Sequence, residues 1–459
     1  MAETKDTQTE TEAYALNAAS VDAILAAVTV GAAERLHAAL DPLHPADIAD
    51  LLEQIGSAER KALMALWGQA LDGEVLSELS EGVRDEILKD IDPSGLAAAV
   101  TDMQSDDVVY LVEDLKAEEQ AEVLEALDAA DRLAVEAALQ YPEYSAGRLM
   151  QRQVVCAPAH WTVGEAIDFM RSTEDLSGGF YKVILVDPRL APTGTVPLGR
   201  IMANRREVLL TDIQEDQLMT IRVDQPQEEV AYAFNQYHLV SAPVVDAGGR
   251  LVGVITIDDA MAVLEEEAEE DIRRLAGVGD EEELTDGVWD TAKQRFPWLA
   301  VNLATSILAS MVIAQFDEVI TAVVALAVLM PIVASMGGNG ATQTLTVAVR
   351  ALATRDLPAS NAWRIVRREP LVGQMNGVAF AVLIAIVGLI WFGSPALGAV
   401  IAAAMVVNMV VAGLAGILIP MGVERAGADP ALAAGAVVTT VTDVVGFFAF
   451  LGLAAVVLL

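Results

Sequence analysis

The chain has 459 residues, 66 acidic against 28 basic side chains, and a formal net charge of −38. That is too long for one ordinary domain, and so negative a field excludes nucleic acid as a partner. The single cysteine, Cys156, allows no intrachain disulfide and no cysteine-based metal site, and His37, His44, His160 and His238 are too scattered for zinc or copper. The charge is also uneven. From Val301 onward the only acids are Asp317, Glu318, Asp356, Glu369, Glu424, Asp429 and Asp443, and the only bases are six arginines. One half is strongly acidic and the other is nearly uncharged and apolar.

The N-terminus, MAETKDTQTE, lacks an apolar core, so no secretory signal peptide is expected, and 1–18 reads as a disordered tail. Residues 19–140 read as short amphipathic helices, such as ADIADLLEQI, VRDEILKDI and SDDVVYLVEDL, separated by HP, DP and DG breakers. A loosely repeated helical unit predicts an all-α superhelical stack; an ordinary bundle is the other arrangement this pattern permits.

The pattern then changes. GRLMQRQVVCAPAHWTVGEAIDFMR followed by YKVILVDPRLAPTGTVPLGRIMA is echoed by DQLMTIRVDQPQEEVAYAFNQYH followed by SAPVVDAGGRLVGVITIDDAM. Each copy predicts strand, helix, strand, strand, giving two α/β modules over 141–204 and 205–263. The order resembles a tandem pair of CBS domains, which sense ligands or assemble and do not catalyse. A helix dense in acids, AVLEEEAEEDIRRLAGV, continues from Ala262 into the linker 264–292.

Five apolar segments fill 293–459: about 297–316, 319–349, 371–392, 396–420 and 431–459. Each approaches the roughly 20 residues that span hydrocarbon. Lys293, Arg295, Arg350, Arg355, Arg364, Arg367, Arg368 and Arg425 all fall on one side if the N-terminus is cytosolic. The expected placement is a multi-pass protein of the bacterial inner membrane with its C-terminus outside. Trp391 and Phe392 sit at the outer interface.

Within those segments Asp443, in VTTVTDVVGFF, is the one ionisable residue inside an apolar stretch. A bare carboxylate there costs several kcal/mol, about 3 on insertion scales. It therefore faces water, a partner or an ion path, and the run Thr439, Thr440, Thr442 makes that face polar. The competing role is a carboxylate hydrogen-bonded to those threonines in a protein interior. In MGGNGATQT, Asn339 and Gln343 share a helix face, Gly340 exposes backbone, and Pro331 upstream can kink the helix; close packing through small residues is the alternative. For Asn408 the packing and pore roles weigh equally. No phosphate loop, GxSxG elbow or HExxH pair is present, so no enzyme is expected.

The order of parts, with PIVASMGGNGATQTLTVAVRALA and GADPALAAGAVVTTVTDVVGFFAFLGLA, resembles an MgtE-type magnesium channel nearly end to end. The resemblance implies a homodimer in the lipid bilayer with its pore on the two-fold axis, formed mainly by the second and fifth membrane helices. Asp443 matches the pore aspartate that holds hydrated Mg2+. Regulatory Mg2+ is expected at Asp106, Asp107, Glu228, Asp259, Glu267, Glu270, Asp271 and Asp429, closing the pore when cytosolic Mg2+ is high, with the linker as a plug helix. His238, Ala262 and Tyr110 stand where relatives often carry acids. CBS pairs often bind adenosine nucleotides, which makes ATP a candidate ligand. The alternatives are a carrier of another divalent cation such as Co2+, and a membrane-anchored CBS sensor that conducts nothing.

Overall fold

A computed structural model describes residue 16 and residues 18–459 apart from 92, 102, 114, 116, 128, 174–178, 279–287 and 355–358. The expected disordered tail thus lies almost wholly outside the described residues. The chain divides into two compact units, 1–265 and 266–459.

In the first unit, ten helices follow one another among the described residues: α1 (Ala18–Val30), α2 (Ala33–Leu40), α3 (Pro45–Gln54), α4 (Ser57–Trp67), α5 (Gly73–Ser77), α6 (Glu81–Asp90), α7 (Pro93–Thr101), α8 (Ser105–Glu113), α9 (Ala117–Ala126) and α10 (Ala129–Ala138). They start where the sequence supplies caps. Pro45 opens α3 behind His44, whose ring nitrogen accepts from Ala46 N–H, and Asp72 accepts from Glu74 N–H at 3.1 Å ahead of α5. Helices this short cannot bury an apolar stripe alone. Here α3 packs on α5, α4 on α6, α5 on α7, α7 on α9 and α8 on α10, so the stack advances in steps of two. One continuous core from Ile24 to Ala138 results. This is the superhelical stack and not a bundle. Buried Arg60 ties successive turns: it donates to Leu52 O at 2.8 Å and to Ile55 O at 3.1 Å, and pairs with Glu86 on α6.

The two α/β modules follow. After α11 (Ala146–Leu149), the first holds β1 (Cys156–Pro158), α12 (Val163–Ser172), β2 (Lys182–Val186), β3 (Pro192–Pro197) and α13 (Leu198–Ala203). The second holds β4 (Ile221–Arg222), α14 (Gln227–Tyr237), β5 (Ser241–Val245) and β6 (Leu251–Thr256). In each, the first strand pairs parallel with the second and the second antiparallel with the third. The repeat is exact in register: Lys182 pairs with Pro197 and Ser241 with Thr256, and both ladders shift one residue from the end, at Leu185/Val186 and Val244/Val245. The turns repeat too. Asp187 Oδ1 accepts from the amides of Arg189 and Ala191, and Asp246 Oδ1 from those of Gly248 and Arg250. The modules are also tied by isolated backbone bridges. Ser145 bridges to Pro226 in the second module, and Leu209 bridges to Thr162 in the first.

Among its described residues the second unit holds five helices long and apolar enough to cross a membrane. They are α16 (Val288–Ala314), α18 (Ala325–Ala353), α19 (Ala359–Phe392), α20 (Pro395–Arg425) and α21 (Pro430–Leu458). Ahead of them, α15 (Ile257–Ala276) carries the acidic linker, and α17 (Asp317–Ala322) is a short helix between α16 and α18. Two boundaries differ from expectation. The second span, expected over 319–349, breaks at Val323 and Val324, where the chain must turn back after α16. The third, expected from 371, starts at Ala359 and runs through Pro370. A proline removes only its own donor and crowds one preceding carbonyl, and here the packing of α19 on α20 holds the helix on either side.

Helix α20 is apolar all round, and α18, α19 and α21 surround it. At its centre Asn408 is fully buried and donates from Nδ2 to Val333 O on α18 at 2.9 Å. Gly337 on α18 and Gly446 on α21 admit it: a Cβ at either would lie 2.1 or 2.7 Å from Nδ2. On α16, by contrast, Leu299, Leu303, Ile307 and Met311 form one stripe more than half exposed, as suits a lipid-facing helix. Replacing Gly337 by Ala should push Asn408 aside and lower the melting temperature of the detergent-solubilised protein by several degrees. Asn408→Ala in the same chain should recover part of that loss, so an additive double variant would refute the wedge.

Candidate cation sites

The membrane helices place Asp443 on α21, half-exposed. Its threonine neighbours do not hold it. Thr439 donates to Gly435 O at 3.0 Å, Thr440 to Ala436 O at 2.5 Å and Thr442 to Thr439 O at 2.9 Å. Each hydroxyl is spent on its own helix, so none of the three donates to the carboxylate. This removes the hydrogen-bonded interior role that the threonine run permitted. Helix α18 presents a second polar surface. Ser335, Asn339, Thr342, Gln343 and Thr346 are all exposed and recur at three- and four-residue intervals on one face. Thr342 and Thr346 turn their hydroxyls to the carbonyls of Gly338 and Thr342. Gly340 lies half-buried beside the face under Met409. Asn408 is not on either surface; its surroundings give it the packing role.

The acidic unit concentrates charge at one spot. Asp106 and Asp107 open α8, which is docked by side chains: Ser105 Oγ accepts from Arg152 N–H at 3.1 Å, and Glu113 at the other end pairs with Arg148 at 2.7 Å. Asp259 opens α15, where it accepts from the amide of Thr256 at 3.1 Å and its hydroxyl at 2.6 Å. Burial, then Asp259 and Asp107 as like charges, hold Asp106 well above the usual carboxylate range. Burial pushes Asp107 up to about 6, with Asp259, Glu74 and Asp258 adding to it. Burial likewise pushes Asp259 up to about 6, against its Thr256 hydrogen bonds. Asp106 Oδ1 is buried without a hydrogen-bond partner. An orphaned acceptor among four other carboxylates fits a cation. Among the described residues, no set of three or more side chains converges as direct metal ligands, so a cation there would keep part of its water shell.

A second acidic group lies at the far end of α15. Arg274 pairs with Glu270 one turn back and with Asp429, which caps α21 by accepting from Ala431 N–H at 2.8 Å. Burial raises the Asp271 carboxyl, the Asp429 charge adds to this, and Arg350 opposes it. Glu270, Asp271 and Asp429 are thus brought together. Glu267 is half-buried on the same helix, while Glu228 is exposed in the first turn of α14, and no described contact brings it to the Asp106 group. Sequence reasoning missed Glu74, Asp258, Arg274 and Arg350; only Arg274, four residues after Glu270, gave a local signal. It also missed Glu369, which the longer α19 carries into a membrane-spanning stretch. His238 is an exposed left-handed helix cap, Ala262 is exposed, and Tyr110 lies under the Arg84 guanidinium at 4.6 Å. The cleft between the two modules, lined by Phe180, Tyr181, Lys182, Ser241 and Thr256, holds about 20 Å³, the room of a single water.

These parts define a membrane-embedded cation transporter with a cytosolic-type helical domain and CBS modules. Family models match in three places: "Divalent cation transporter" over residues 330–453, "MgtE intracellular N domain" over 43–144, and "CBS domain" over 210–266. The magnesium transporter MgtE of Thermus thermophilus is 32% identical over 94% of this chain and 97% of its own, and that of Enterococcus faecalis is 32% identical over 70% of each. The crystal structure of a cytosolic domain of the Mg2+ channel MgtE in complex with ATP is 29% identical, covering 53% of this chain and 99% of that one at a TM-score of 0.49. The chain belongs to the MgtE family of transporters.

The raised carboxyls fix a pH dependence. A carboxyl whose folded value lies above its unfolded value takes up a proton on folding, so its contribution is favourable at low pH and is lost as pH rises from about 4 through about 6. Without divalent cations, the full chain should therefore melt several degrees higher at pH 5 than at pH 7.5. Asp106→Asn should flatten that difference, and a melting temperature that falls on acidification would contradict the assignment.

Proposed function

We propose that this chain is a magnesium-selective channel of the bacterial inner membrane that closes when cytosolic Mg2+ is high. The observation that carries the reading is Asp443 on α21, half-exposed with no threonine hydroxyl turned toward it. Magnesium sheds water reluctantly. A carboxylate reaching the ion through its hydration shell can favour a divalent charge and still release it.

The exposed polar face of α18 supports a second subunit. Five polar residues turned toward hydrocarbon are costly, and a two-fold mate would turn Asn339, Gln343 and Asp443 into the walls of one aqueous path. In that homodimer two Asp443 carboxylates face each other, with Thr439, Thr440 and Gly340 nearby. Basic residues near the ends of α16, α18, α19 and α20 support an N-terminus in the cytosol and a C-terminus outside.

Regulation rests on the acidic groups. The carboxylates of Asp106, Asp107 and Asp259 repel one another, and bound Mg2+ supplies the positive charge that offsets this. Glu228, Glu267, Glu270, Asp271 and Asp429 add weaker sites along the same assembly. Moving the gate almost completely from open to closed takes roughly 5 kcal/mol of preference for the closed state, which several hydrated sites supply together. ATP is assigned to the cleft between the modules in an opened state, since the closed cleft is too small for it.

Flux of Mg2+ into proteoliposomes tests the pore. Asp443→Ala should abolish it and Asp443→Asn should reduce it at least tenfold; wild-type flux in both would remove the assignment. For the gate, neutralising Glu267, Glu270 and Asp271 together should leave flux high in millimolar internal Mg2+. Inhibition as strong as in wild type would count against the sensor.

A further inference from the structure

Beside the polar face of α18 lies a cavity of about 270 Å³ between α18, α19 and α20. Its polar lining is Gln343, Thr344, Arg368, Glu369 and Asn376. Gln343 belongs both to this lining and to the exposed face it shares with Asn339 and Thr346, so the cavity borders that face. Close helix packing fixes its walls: a Cβ at Gly413 on α20 would lie 2.7 Å from Glu369 O, and one at Gly373 on α19 would lie 2.3 Å from Met409 O.

Glu369 is the group in need of explanation. It is half-buried in a helix apolar enough to span the membrane. Its hydrogen bond comes from Thr344 Oγ1 at a long 3.3 Å, and among the described residues no base lies within ion-pair distance of it. Arg368, which also lines the cavity, is exposed. A carboxylate so placed marks an ion or proton path far more often than a structural contact. Two amides, a hydroxyl and one carboxylate are donors and acceptors suited to a water shell. They are too few charges to strip a divalent ion. The space agrees: at about 10–15 Å³ of accessible volume per water, six waters fit easily within it.

We infer that this cavity is a second station for a hydrated divalent cation, held by Glu369 and steered by Gln343 and Asn376. The inference rests on the pore reading above. Along α20, Gly446 meets Asn408 and Glu369 meets Gly413. Because α20 and α21 are successive spans running in opposite directions, Asp443 and Glu369 lie within about one helical turn of the same depth. The two carboxylates therefore act on one stretch of the ion's path.

The test uses crystals of the full chain grown in Mn2+, read by anomalous scattering, alongside Mg2+ flux in proteoliposomes. A peak within the cavity near Glu369 is expected, lost in Glu369→Gln. The same variant should raise the half-saturating Mg2+ concentration about fivefold or more while maximal flux changes less, and Glu369→Asp should recover part of it. Should Glu369→Gln fail to fold, Asn376→Leu keeps the charge and should still raise the half-saturating concentration. An empty cavity beside an occupied Asp443 site, with unchanged flux in both variants, overturns the station and leaves the pore intact. Phospholipid headgroup density in the cavity also overturns it. A wild-type protein that passes no Mg2+ defeats the pore reading, while the Mn2+ peak still decides the station.

Discussion

Carboxylates held away from bulk water govern both units of this chain. Desolvation disfavours their charged form, and like charges nearby add to the penalty. Asp106, Asp107 and Asp259 accumulate this strain in the helical and CBS unit, with Asp106 Oδ1 left unpaired. Asp443 and Glu369 lie in membrane-spanning helices of the other unit, where the alternative to water is hydrocarbon. A cation would relieve that penalty, and the scaffold meets it unevenly with its own hydrogen bonds. The threonines around Asp443 bond to their own helix, and Thr256 binds one face of Asp259 as a helix cap.

The two acidic groups on α15 differ in how their charge is compensated. At the helix start Asp259 has carboxylates as its charged neighbours. At the other end the chain supplies its own cations, Arg274 between Glu270 and Asp429, and Arg350 near Asp271. The first arrangement needs an external charge to settle. The second is already largely neutral, so a metal there competes with an arginine.

Much of this was legible in the sequence. Periodicity gave the helical stack, the paired modules and the membrane spans, because burial patterns repeat at fixed intervals. The two copies YKVILVD and SAPVVDA announced strands whose registers then proved identical, down to the aspartate in each turn. Helix ends were less legible. The third span was expected from 371, yet packing of α19 against α20 carried the helix through Pro370 and moved Glu369 from a loop into a span. Long-range partners were not legible at all. Nothing near Glu74 or Asp258 in the chain points to Asp107, and only the docking of α8 brings them within electrostatic reach. Asn408 was ambiguous for the same reason: whether a polar residue in an apolar helix faces water or a neighbour depends on glycines 71 residues before it and 38 after it, at Gly337 and Gly446.

The isolated bridges between the modules constrain how they can move. Ser145 completes the second module and Leu209 the first. Neither copy can swing independently without tearing the edge of its twin. A tilt of one copy alone would have to break these bridges, so the pair favours moving as one body over hinging in the middle.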